Sequence, residues 1–597
     1  MRIKKSFISV PLVLGVMILG LAVWMIGGPL LPGIREGQDR IVQADGSTVQ
    51  EEGLLKEISM LEVLERDQSK GTIEDLKVLA QRKDAVGYRA NLLLAERAMA
   101  LKEDSIIYYR QALDLYETKE VRYKLARELL IQGKREEAAE QYKLLLPDEE
   151  AYLALLQMEI EPAAIGEMLL ERKQWKSAAD FLKPYLEKAG DHPGKLMLQK
   201  QYARALGELG LYKETLQALE PLMASNLWDQ ELQWWYGRGL EGTNQGKEAK
   251  KIYQSLGARG AYRLGLLLEK EGALETAAAV FSSSNENLSR WRGARLWEEL
   301  GMREKALEIY LKLSKEQDIH QDDAAYRAYI LMERMGKKDR DTLLSFLKKH
   351  PAWAARLNKK AEWETIPVVS YERPEFIDRV EVYRESGRGK LADIELSIGE
   401  RLADNSAKLA LGDWYLEQER YYQAVLWGIR ALREQPSKRA YELAYQRPYE
   451  EAVRAAAKEF NLDPNIIWAV MREESHYRAE VYSPVGAVGL MQVMPATGKD
   501  IAGRLKVPFE DGDLLKPEVN IRFGAYYLRS MLKMFGDDED KALAAYNGGP
   551  GNVRRWSESK LGKTKTDFPT AITFQETREY ITKVKNTHHI YRWLYEK

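Results

Sequence analysis

Three residues recur at a fixed spacing through the middle of this chain, and few folds accommodate such a pattern. Gly133, Ala138 and Tyr142 return as Gly272, Ala277 and Phe281, and again as Gly301, Ala306 and Tyr310. Weaker copies stand at Gly210, Thr215 and Leu219, at Asn244, Ala249 and Tyr253, and at Glu419, Ala424 and Gly428, with Pro436 beyond the last. A glycine ends a helix by accepting the left-handed conformation. The small residue lets the next helix come close, and the aromatic fills the space one turn later. Such helix pairs bury their apolar faces only by stacking on neighbours. The pattern predicts an α-superhelix over residues 54–440, with a plain helical bundle as the competing architecture. Trp234 and Trp235 are expected in its core rather than on a sugar-binding surface, and no ligand residue is expected in the array.

The array resembles tetratricopeptide-like repeats in degenerate form. At 597 residues the chain is too long for one ordinary core, so further domains are expected. Ahead of the array, Arg2, Lys4 and Lys5 precede an uncharged stretch whose first 20 residues, 7–26, are mostly apolar. That is long enough to cross a hydrocarbon core, and the basic residues keep the short end in the cytoplasm. Residues 1–34 are expected as an N-terminal transmembrane helix, with a cleaved signal peptide as the alternative. Either segment exports the remainder, and residues 35–53 read as a polar linker. Ninety Lys and Arg against 91 Asp and Glu leave no basic excess for a nucleic acid. The absence of cysteine excludes disulfides, thiolate catalysis and Cys-ligated zinc. The six histidines show no metal-ligand spacing, and His588–His589 reads as a surface pair on a helix.

A new pattern begins near Tyr445, and residues 441–597 are expected to form a separate, mostly α domain that folds on its own. Asp463 is placed to cap a helix and Pro464 to occupy its first turn. Ile467, Val470, Met471 and Glu474 fall at i, i+3, i+4 and i+7, on one face. Glu474 thus extends an apolar stripe inward, whereas Glu473 lies about 100° round the helix and is expected to be solvated. Periodicity favours Glu474 as a buried acid but leaves a solvated helix end open. Burial and the negative end of the helix dipole would both raise its pKa. A carboxylic acid protonated near neutral pH is what a general acid needs. A later helix from Pro517 presents Ile521, Leu528, Leu532 and Phe535 on one side and stops at Gly536.

The short sequences Glu474–Ser475, SPVGAVGLMQVMP at 483–495, AYNGGPGNV at 545–553 and FQETREYI at 574–581 occur together and in this order. The combination resembles the soluble, superhelical lytic transglycosylases of peptidoglycan. The resemblance implies a lysozyme-like catalytic fold with a sugar-binding cleft. It assigns Glu474 as the single catalytic acid and Glu473, where relatives often carry Gln, as a bystander. It implies that Ser475 supports the acid and that Gly486 and Gly489 let backbone approach the glycan. Ser483, Met491 and Gln492 are implied at the cleft, Tyr546 and Asn547 beside the acid or the N-acetyl group, and Glu576 and Tyr580 facing substrate. Gly548 stands where many relatives have Ala.

The implied reaction differs from two-carboxylate hydrolysis. Glu474 protonates the oxygen between N-acetylmuramic acid and N-acetylglucosamine, the muramic N-acetyl oxygen stabilises C1, and the muramic 6-hydroxyl closes a 1,6-anhydro ring. No water is consumed and no cofactor or metal is expected. Peptidoglycan glycan strands are the expected partner, with the membrane engaged through the N-terminal helix and envelope proteins on the repeats. The catalytic domain is expected on the extracytoplasmic side. The alternatives are a hydrolytic muramidase, for which Asp511 or Asp513 could supply a second carboxylate, and a non-catalytic peptidoglycan-binding scaffold.

Overall fold

The computed structural model describes residues 62–63, 71–190, 194–360 and 366–596, all of which fall in one unit, residues 55–597. The expected transmembrane segment lies outside the described residues. Among the described residues no helix is long and apolar enough to cross a membrane. The described residues contain no β-strand, only isolated bridges between Tyr482 and Val488 and between Val488 and Val493.

Helices run in antiparallel pairs from Gly71 to Ala444, each packed chiefly on the next. The repeat positions behave as their chemistry requires. Gly133, Gly272 and Gly301 have φ of +76°, +81° and +85° and end their helices. Asn244 and Glu419 take the same left-handed turn without being glycine. Ala138, Ala277 and Ala306 are fully buried, and Tyr142, Phe281 and Tyr310 are buried one turn on. The aromatic needs a fourth position that the sequence pattern did not include. A Cβ on Gly265 would stand 2.6 Å from the Phe281 ring, and one on Gly237 would stand 2.7 Å from Tyr253. The ring therefore seats on a small residue of the preceding helix. Trp235 is buried and Trp234 packs on Tyr253 at 5.7 Å, as core residues should.

The late part of the array returns to its beginning. The helix Gly389–Leu402 packs on the helix Ala85–Leu101. There the buried carboxylate of Glu395 accepts from the Ala85 amide at 2.8 Å and pairs with Arg379 at 2.7 Å. The helix Lys438–Ala444 runs through the expected domain boundary and packs on the array helix Tyr421–Glu434.

Eight helices follow: α1 (Glu450–Phe460), α2 (Pro464–Ser475), α3 (Pro495–Leu505), α4 (Pro517–Met534), α5 (Glu539–Gly548), α6 (Pro550–Glu558), α7 (Phe568–Ala571) and α8 (Gln575–Tyr595). They share one apolar core built around Ile467, Met471, Ile521, Leu528, Ala544 and Ile581. As expected, α4 buries Ile521 and Leu528 and ends before Gly536 at φ +65°. This region also makes charged contacts with the array. Fully buried Arg327 pairs with Glu298 of the array and, at 2.7 Å, with Asp567. Arg578 of α8 lies 3.5 Å over the Trp291 ring and 3.4 Å from Asp323. Asp540 of α5 is held by Arg356 of the array at 3.2 Å and by Lys585 at 2.8 Å. These cations hold its carboxyl down at about 2 although burial alone would raise it.

Candidate active site

The acid sits at the end of a helix fixed at both ends. At the start of α2, Asp463 accepts from the Asn465 amide at 2.9 Å and Pro464 takes the first turn. At its end, His476 and Tyr477 adopt φ of +48° and +63°, turning the chain away after Ser475. Ile467, Val470 and Met471 are fully buried, so the stripe that carries Glu474 does face the core.

The two adjacent carboxyls are set in opposite directions. Burial pushes Glu474 up to about 8, and the charges of Glu473 and Glu576 add to that, while the Tyr580 hydroxyl opposes it. Tyr580 is buried, and burial and then the charge of Glu474 push its hydroxyl well up. Glu473 does not follow expectation. Its side chain is only 11% exposed, and it is not solvated. It accepts from Arg472 Nη1 at 2.6 Å and from Thr587 Oγ1 of α8 at 2.6 Å. Burial would raise it, but Arg472 and Thr587 together bring it below the usual carboxylate value. Periodicity misplaced Glu473 because its partner Thr587 is 114 residues away in sequence. Carboxyls pushed apart in this way divide into one proton donor and one fixed anion.

Several of the motif residues make contacts within the protein that shape the wall of the site. Ser475 is fully buried and donates to the Met471 and Leu490 carbonyls at 3.1 and 2.8 Å. Ser483 accepts from the Ala487 amide at 2.9 Å and shapes its own turn. Gly489, at φ +77°, approaches protein closely, since a Cβ there would meet Asn520 Nδ2 at 2.4 Å. The Met491 side chain is fully buried, and a Cβ on Gly524 would stand 2.4 Å from its sulfur. Gln492 closes the same loop, donating to the Gly489 carbonyl at 2.8 Å. The residue that organises this loop is Asn520, which the sequence analysis missed. It accepts from the Met491 amide at 2.7 Å and donates to the Val488 and Leu514 carbonyls, each at 2.8 Å. A polar residue beside Ile521 on the buried face of α4 was the available signal.

The remaining residues gather around Glu474. Tyr546 donates to the Met491 carbonyl at 2.8 Å, and burial, followed by the charge of Glu474, pushes its hydroxyl well up. Asn547 accepts from Thr577 at 2.7 Å, which orients its amide and leaves the NH₂ to offer. Glu576 is exposed at the start of α8. The carboxylates whose charge acts on Glu474 are Glu473 and Glu576. Asp511 is exposed, and Asp513 is engaged with Lys516 at 2.8 Å. Among the described residues no group of acids and histidines is placed to hold a metal.

Residues 451–568 match the family model for the transglycosylase SLT domain. Over 119 residues the chain is 42% identical to the soluble lytic murein transglycosylase of Salmonella typhimurium, and over 128 residues it is 40% identical to that of Escherichia coli. These stretches cover 19% and 21% of this chain and 18% and 20% of the relatives, so the sequence likeness spans about a fifth of each protein. The membrane-bound lytic murein transglycosylase C of Edwardsiella ictaluri is 33% identical over 24% of this chain and 46% of that protein. The fold likeness reaches further than the SLT match. An inactive mutant of the lytic transglycosylase Slt from Pseudomonas aeruginosa aligns with a TM-score of 0.53 at 18% identity, over 92% of this chain and 93% of that one. The 70 kDa soluble lytic transglycosylase from E. coli aligns at 0.50 and 16% identity, over 92% of each chain. The SLT match ends before α8, which carries Glu576, Tyr580 and Thr587.

Proposed function

We propose that this chain is a peptidoglycan lytic transglycosylase with Glu474 as its single general acid and base. The observation that carries this reading is the state of Glu474, a partly buried carboxyl that stays protonated near neutral pH beside a carboxylate held as the anion by Arg472. The murein named for the relatives in Salmonella typhimurium and Escherichia coli supports peptidoglycan as the substrate class.

In the proposed reaction, Glu474 gives its proton to the glycosidic oxygen as the bond to muramic C1 breaks. The muramic N-acetyl oxygen meets the developing positive charge at C1. The ionised Glu474 then takes the proton of the muramic 6-hydroxyl as that oxygen attacks C1. The acid is regenerated, and the product ends in 1,6-anhydromuramic acid. Tyr580 and Tyr546 keep polar O–H groups near the carboxyl in both of its states, and Asn547 offers its NH₂ to the N-acetyl group. Residues 1–34 hold the enzyme at the outer face of the membrane, and the array offers a surface to envelope proteins.

Glu576 supports a second reading, because its exposed charge acts on Glu474 and a muramidase needs a base to activate water. Mass spectrometry of sacculi digested by the purified chain separates the two. The expected disaccharide-peptides are lighter by one water than hydrolytic products. Reducing muramic ends would establish the muramidase.

A further inference from the structure

The proposed chemistry uses one of two consecutive carboxyls, yet the structure gives the other a set of partners that a bystander does not need. Glu473 Oε1 receives Arg472 Nη1 and Thr587 Oγ1, each at 2.6 Å. Arg472 is itself fixed, donating from Nε to the Ala444 carbonyl at 2.8 Å with its guanidinium 4.1 Å over the Tyr445 ring. Thr587 is fully enclosed on α8, two turns beyond Tyr580. One helix thus brings a hydroxyl to each acid. Both partners of Glu473 donate, an arrangement that favours the anion.

The other groups near the pair do not substitute for this charge. His476 faces Glu473 but is kept neutral, its pKa lowered to about 4 by burial and then by Arg472. Tyr445, Tyr477 and Tyr580 interact with Glu473 and are all neutral in this range. Around Glu474 stand Tyr546 and Tyr580, both neutral, and the exposed carboxylate of Glu576.

We propose that Glu473 is a positioning residue whose carboxylate, clamped between Arg472 and Thr587, keeps the neighbouring Glu474 in its acid form. The inference rests on Glu474 being the general acid. Two carboxyls on one buried helix turn resist ionising together. A negative charge pinned on the first therefore leaves the proton on the second. The clamp extends the pH range over which Glu474 can donate.

Full-length Glu473→Gln and Thr587→Val, each checked by thermal melting, test this through kcat/KM on purified sacculi between about pH 5 and pH 9. In Glu473→Gln the alkaline limb moves to lower pH, so the loss relative to the parent is roughly 3-fold or more greater at pH 8 than at pH 6. Thr587→Val removes one of the two donors but leaves Glu473 ionised against Arg472, so its limb stays near that of the parent. A purely structural role would instead lower activity equally at every pH. An alkaline limb that stays in place in folded Glu473→Gln overturns the proposal, and Glu473→Ala, which removes the same charge, decides should Glu473→Gln fail to fold. Glu474→Gln separates this inference from the reading beneath it. Retained activity in that variant removes the acid assignment itself, whereas an inactive Glu474→Gln with an unmoved limb in Glu473→Gln removes only the role of Glu473.

Discussion

The repeat array and the C-terminal region both enclose charged side chains, but only the array builds its apolar contacts from a recurring unit. Between Gly272 and Leu313 the helix contacts are made by Ala277, Phe281, Ala306 and Tyr310, while pairs such as Lys312 with Glu308 stay at the surface. Each unit resembles the next, and stability is spread along the stack. In the C-terminal region, Arg472, Glu473, Asn520, Asp540 and Asp567 are largely enclosed, and Glu473, Asp540 and Asp567 have partners 114, 184 and 240 positions away. Glu474 is enclosed with no cation among the groups that act on it. Repetitive apolar packing tolerates local change, whereas enclosed charges, which the array also holds at Arg295, Arg327 and Glu395, concentrate vulnerability in a few residues.

The largest effect that this contrast predicts is at Glu474. Glu474→Gln keeps shape but neither donates nor accepts the proton, so activity on sacculi falls by at least ~10²- to 10⁴-fold. Its stability should move the other way. The folded carboxyl titrates near 8 and the unfolded one near 4.5, so the parent loses stability as pH rises between those values. Gln has no such loss. The advantage of the variant in thermal melts should grow from about pH 4.5 to about pH 8 and then level off. A difference independent of pH would show that the carboxyl is not held protonated.

The next largest effect lies at the contact between the two regions. Asp567→Ala removes a partner from the enclosed Arg327 and should cost near the lower end of ~3–5 kcal/mol in urea unfolding, because Glu298 remains. A cost below ~1 kcal/mol would break the contrast, making this ion pair as dispensable as a surface one. The smallest effect is expected inside the array. Ala306→Leu overfills one helix contact and should cost about 1–3 kcal/mol, with kcat unchanged in the folded fraction. A loss of activity there would show that repeat packing reaches the site.

The repeat register was legible because it is local. Gly133, Ala138 and Tyr142 lie within one helix pair, and their roles follow from backbone geometry and size. Lys173, Ala178 and Leu182 form another copy, but Lys173 occupies the left-handed position at φ +58°, where sequence rules expect glycine. The return of Glu395 to Ala85 had no sequence signal, since the two are 310 positions apart. At the site, Glu474 was legible from its stripe and cap. The motif residues Ser475, Gly489 and Met491 were recognised, but their contacts inside the protein were not. A motif marks positions that cannot vary freely, and packing against Leu490, Asn520 and Gly524 constrains a residue as firmly as touching a sugar. Asn520, Thr587 and Arg578 went unnoticed because a polar side chain on a buried face gains its meaning from a partner that sequence order does not supply.

One helix has a consequence for how this protein can change length. Along α8, Thr577 and Tyr580 serve Asn547 and Glu474, Lys585 and Asn586 reach Asp540 and the Ala352 amide, and Thr587 and Tyr591 meet Glu473 and Tyr477. A residue inserted after Tyr580 would turn everything beyond it by about 100° and advance it by about 1.5 Å. The later contacts would then miss together. Loops between repeats can gain or lose residues one at a time, but α8 has a fixed count, because the acid, its charged neighbour and the array are all spaced along the same 21 residues.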